Sequence, residues 1–134
     1  KGHTASDLVL TDEASGTVFA GGLVFADRVP TTPHARVDEW LTSLDGLAGM
    51  SVRTLVPSHG PVARGRAGID QTRRYLRWLD GSLARGAQRG LEVAELLAQP
   101  VPGEFRAWAA FDTEYVRNVL HLYPAHEARS LQPR

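Results

Sequence analysis

Two histidines stand out by their neighbours. His3 lies in Gly-His-Thr (residues 2–4), immediately before an apolar run. His59 lies in Pro-Ser-His-Gly-Pro (residues 57–61), immediately after one. A histidine at the end of a buried strand, held by glycine and proline, is rigidly placed at the rim of a cleft, which suits a metal ligand or a general base. A single histidine of this kind is commonly an ordinary hydrogen-bonded residue; two such loops in one chain shift the balance toward chemistry. The other three carry less. His34 follows Pro33 at an expected helix start and reads as a capping or exposed residue. His121 and His126 are five apart, so they miss the i, i+4 spacing that would let them share a metal on one helix face. His126, beside Glu127, reads as part of a solvated helix end.

Other chemistries are excluded by what is missing. There are no cysteines, hence no disulfides and no thiolate metal site. No Gly-x-Ser-x-Gly elbow appears, and residues 60–65 lack the Gly-Lys-Ser/Thr ending of a phosphate loop. Basic and acidic residues balance at 15 each, which argues against a nucleic-acid binder; Arg73, Arg74 and Arg77 read as a solvated helix face. No apolar stretch approaches the roughly 20 residues that span a bilayer.

The elements that would hold these histidines follow from the hydrophobic pattern. With 134 residues, 43% hydrophobic and 22% charged, the chain suits one folded domain, residues 1–134. Residues 7–10 and 17–25 are apolar runs joined by a polar segment ending in Gly16, which predicts a β-hairpin, with Gly21 and Gly22 bending the chain within or just after the second strand. Residues 36–49 carry Val37, Trp40, Leu41, Leu44 and Leu47 at helical spacing. Residues 53–56 are a short strand leading into the His59 loop. A second helix spans 67–85, with Ile69, Thr72, Leu76, Leu79 and Leu83 on one stripe. A third covers 91–98 and a last one 112–128, with Tyr115, Val119, Leu122 and Tyr123 inward. Residues 130–134 read as a frayed end, and Trp40, Trp78 and Trp108 as packing residues. The order is hairpin, helix, strand, then covering helices, an α/β layered arrangement whose sheet is small for its helices.

Three stretches together carry a resemblance. Gly-His-Thr-Ala-Ser-Asp-Leu-Val (residues 2–9), Val-Phe-Ala-Gly-Gly-Leu-Val-Phe (18–25) and Val-Pro-Ser-His-Gly-Pro (56–61) are similar, in order and spacing, to the C-terminal motifs of the metallo-β-lactamase superfamily. Leu-Val-Phe-x-x-Arg-x-Pro (23–30) and Arg-Asn-Val (117–119) further resemble the zinc metallohydrolases associated with quinoprotein dehydrogenase systems. The resemblance implies the C-terminal half of an αββα sandwich with a zinc site between two sheets, and the chain is read as that half, the N-terminal half being absent. It implies that His3 and His59 are metal ligands. It also implies an acidic ligand at the position of Gly22, where a carboxylate is missing, and a His-x-His-x-Asp-His loop that this sequence lacks.

A catalytic zinc takes about three protein ligands and a water, so the chain alone is expected to bind zinc weakly. Two functions follow as expectations. One is part of a zinc-dependent hydrolase cleaving an ester, thioester or amide in a small-molecule substrate. The other is a non-catalytic domain that keeps the fold without metal. The expected partner is the missing half or a second copy of the chain, with no nucleic acid and no membrane. The expected compartment is the periplasm or the cytoplasm.

Overall fold

The computed structural model describes residues 1–132. Strands β1 (Leu10–Asp12) and β2 (Thr17–Phe19) form the expected antiparallel hairpin, pairing Leu10 with Phe19 and Asp12 with Thr17. The Asp12 carboxylate accepts from the Ala14 N–H and the Ser15 hydroxyl, and Gly16 takes a positive φ, which closes the turn. The first strand starts at Leu10 rather than at residue 7. Asp7 is occupied in a turn of its own, accepting from the backbone N–H and the hydroxyl of Thr4, so the chain has not yet become extended there.

The second strand also ends early. Gly21, at φ +53°, turns the chain into a short 3₁₀ segment, Gly21–Leu23, where the glycine pair was expected to bend it. Residues 24–26 then resume an extended path beside residues 58–59: the Ser58 N–H donates to the Val24 carbonyl at 2.8 Å, and the Ala26 N–H to the His59 carbonyl at 2.9 Å.

Helix α1 (Val37–Ala48) buries Trp40, Leu44 and Leu47, and leads to β3 (Thr54–Val56), which lies parallel to β2. A fourth strand, β4 (Ala63–Arg64), pairs antiparallel with β3. At two residues it is too short to leave an alternation in the sequence. Val18 and Leu55 point to the helices and are buried, while Leu10 and Phe19 look the other way and are exposed. In the sheet, ordered β1-β2-β3-β4, the helices thus cover one face of the two central strands, while β1 and β4 are exposed.

Helix α2 (Ala67–Gln88) buries its whole expected stripe and packs on α1 and on the final helix. The third helix is shorter than expected, α3 (Val93–Leu97), opened by a capping box between Glu92 and Glu95. A four-residue helix, α4 (Gly103–Arg106), follows Pro102 and was not expected. It sets Phe105 edge-on to Tyr75 and Trp108, with ring centroids 5.3 and 5.0 Å away. Trp40 is fully buried and Trp78 and Trp108 half-buried, as packing residues should be.

Helix α5 (Phe111–Ser130) buries Tyr115, Val119, Leu122 and Tyr123 as expected. Ser130 is still helical; of the expected frayed end, residues 133 and 134 lie outside the described residues. The arginines of α2 do more than face water. Arg73 and Arg77 reach Asp45 on α1, and Arg74 pairs with Glu104 on α4. Among the described residues no helix is long and apolar enough to cross a membrane.

Candidate metal centre

His3 is fixed from several sides. Gly2 sits at φ +136°, and a β-carbon there would lie 2.1 Å from the Trp40 α-carbon, so only glycine lets the chain pass so close to α1. The Gly2 carbonyl accepts from the Arg36 N–H at 2.8 Å. The imidazole lies edge-on to Trp40 and tilted against Phe25, with centroids 5.1 and 5.6 Å apart. Its Nε2 is 3.2 Å from the Thr31 hydroxyl, and its Nδ1 is 3.8 Å from the buried Asp7 carboxylate. Burial lowers the pKa of His3; Asp7 opposes that shift, and His34 and His59 add to it. The neutral ring this favours is the form that binds metals.

His59 is held through its backbone. Gly60 takes φ +102°, and a β-carbon there would lie 1.9 Å from the Ala26 carbonyl oxygen. The ring stacks on Phe25 at 5.2 Å and 7°. Its Nδ1 lies 3.1 Å from the Ser58 hydroxyl, and Nε2 has no hydrogen-bond partner among the described residues. The buried Phe25 ring therefore supports both histidines, one on each of the two loops.

At Gly22, a β-carbon would lie 2.4 Å from Nδ1 of His3. The histidine occupies the space that a side chain at position 22 would need. Among the described residues no three of the histidine, aspartate and glutamate side chains are grouped so as to hold a metal ion. Two imidazoles fall short of the roughly three protein ligands of a catalytic zinc, so these residues alone do not fit one.

The remaining histidines lie elsewhere. His34 is exposed and does not cap α1, whose N-terminal residue Arg36 makes no side-chain cap. His121 Nδ1 is 3.4 Å from the Thr32 hydroxyl. His126 is not solvated, contrary to expectation: it is buried, with Nε2 3.1 Å from Asp80 and Nδ1 3.1 Å from Arg129. The reason is register, since His126 stands four residues after Leu122 and falls on the same inward face. The same spacing carries Asn118, three residues after Tyr115 and fully buried, which sequence reasoning passed over. Counting positions along the Tyr115–Leu122 stripe was the signal for both.

This four-stranded sheet with helices on one face matches part of the metallo-β-lactamase fold. The chain is similar to three solved structures. With TMB-1 it shares 20% identity over 59% of this chain and 38% of that one, at a TM-score of 0.53. With a metallo-β-lactamase from Pontibacter korlensis the identity is 27%, over 57% of this chain and 37% of that one, at 0.52. With the metallo-β-lactamase FIM-1 from Pseudomonas aeruginosa, solved in its mono-zinc form, it is 27%, over 57% and 35%, at 0.51. The chain thus spans less than two-fifths of the length of each. No protein-family model matches the sequence, and no curated protein does.

Proposed function

We propose that this chain is part of a zinc-dependent metallohydrolase, in which His3 and His59 are metal ligands and the remaining donors come from residues outside the chain. The observation that carries the reading is the pair of histidine loops resting on one Phe25 ring, within a fold shared with metallo-β-lactamases. Zinc in such a site would supply an activated water, whose pKa can fall to about 7, for hydrolysis of an ester, thioester or amide in a small molecule. The chain's own contribution is to hold two imidazoles in fixed orientation. The stretches 23–30 and 117–119 support assigning it to the quinoprotein-associated zinc metallohydrolases.

The exposed sheet face is where we place the partner. The strand register puts Leu10, Phe19 and Val56 in one row, and Leu8 and Val62 are exposed as well. An uncovered apolar face of this kind is rarely tolerated on a monomer. It meets the rest of the αββα sandwich, or a second copy of the chain. Light scattering on the isolated chain at micromolar concentration should show association, and Leu10→Lys with Phe19→Lys should weaken it; a clean monomer overturns this part.

Metal analysis by native mass spectrometry tests the ligand assignment. The chain alone should hold little zinc, and the assembly completed by the other half about one or two ions per domain. His3→Ala and His59→Ala should each lower uptake in the completed assembly. A completed assembly without zinc leaves the second reading, a non-catalytic domain of the same fold. The contact between His3 and Gly22 favours that alternative, because a carboxylate side chain at position 22 would have to displace the His3 ring.

A further inference from the structure

We infer that Asn118, on α5, is a positioning residue for His3 and acts through Thr31. Residues 29–36 have no regular structure, so their polar groups must be satisfied by side chains and neighbouring loops. Asn118 is fully buried and uses its whole amide on this task. Its Oδ1 accepts from the Thr32 hydroxyl at 2.8 Å, and its Nδ2 donates to the Pro30 carbonyl at 2.8 Å and to the Tyr75 hydroxyl at 2.9 Å. Two of these bonds bracket Thr31, one residue to either side. The third ties the amide to Tyr75, fully buried on α2.

Thr31 in turn sets its hydroxyl 3.2 Å from Nε2 of His3. The opposite nitrogen, Nδ1, is walled by Gly22 and faces Asp7. Nε2 is therefore the ring nitrogen whose surroundings are set from α5. A buried amide is costly unless every polar atom is paired, and a core position needing only bulk would be apolar. Full pairing around one threonine marks Asn118 as part of the histidine's support. The functional meaning of this support rests on the proposed ligand role of His3; the geometry does not.

Long-range ¹H–¹⁵N spectra of the imidazole nitrogens in the 134-residue chain test the link. Thr31→Val should shift the His3 ring nitrogens and alter their tautomer balance, leaving those of His59 in place. Asn118→Ala should move the His3 nitrogens in the same direction. Thr32→Val, which keeps the amide and nearly the same volume, should do so too, and it serves if the asparagine variant does not fold. The inference fails if Thr31→Val leaves the His3 nitrogens at their wild-type positions, or if Thr32→Val and a folded Asn118→Ala do. Zinc uptake is read separately: a completed assembly without zinc, with the His3 response intact, overturns the ligand role and leaves the positioning role standing.

Discussion

The imidazole of His3 fills the space that a side chain at position 22 would take, its Nδ1 being 2.4 Å from where a β-carbon on Gly22 would lie. The two positions that the metallo-β-lactamase resemblance assigns to a histidine and a carboxylate therefore compete for one volume here. Gly22 has an unexceptional backbone conformation, so the conflict is one of space alone. Gly22→Ala should cost about 1–3 kcal/mol, the usual range for overpacking, as the ring is pushed off Thr31. Urea unfolding gives the cost and the His3 ring signals report the displacement; unchanged signals in a stable variant would remove the competition.

Gly60 is held differently, by backbone. Its φ of +102° disfavours any side chain, and an added β-carbon would strike the Ala26 carbonyl at 1.9 Å. Gly60→Ala should cost about 3 kcal/mol, the upper end for a strained backbone position, because a carbonyl cannot swing aside as a side chain can. The Ala26 amide, which donates to the His59 carbonyl, should lose protection in hydrogen exchange; protection equal to wild type would contradict this account.

Phe25 links the two histidine loops. Phe25→Ala should cost about 3–5 kcal/mol, as for other buried aromatic truncations. The ring protons of both His3 and His59 should shift together as the ring current disappears. A response confined to one histidine would show that Phe25 does not support both.

His126 should make the fold sensitive to acid. Burial lowers its pKa from the ordinary 6.5, outweighing the opposing effect of Asp80, while Arg129 adds to the lowering. The unfolded chain then binds its proton more tightly than the folded one. The stability this group contributes is present above pH 6.5 and is lost as pH falls from there through the lowered folded value. Urea midpoints should drop between about pH 7.5 and pH 5, and His126→Gln should flatten part of that slope. Parallel slopes in the two proteins would exclude His126 as a source.

Much of the architecture was legible because it is periodic. Trp40, Leu44 and Leu47 on α1, and Ile69 through Leu83 on α2, repeat with the helical pitch and are the residues that became buried. The glycine and proline neighbours of His3 and His59 marked tight loops, because few residue types fit such backbone. Lengths and polar exceptions were harder to read. Strand β4 has two residues, α4 has four, and β1 starts three residues late because the Asp7 carboxylate caps Thr4.

By itself, then, the sequence determined the long helices α1, α2 and α5, the hairpin and the two histidine loops, since each depends on local spacing and on backbone that only certain residues allow. Tertiary structure decided the rest. The setting of His3 among Gly22, Thr31 and Phe25, the burial of Asn118 and His126, and the uncovered sheet face all depend on residues distant in the chain meeting in space. No local pattern encodes those meetings, because they arise only when the helices pack on one side of the sheet.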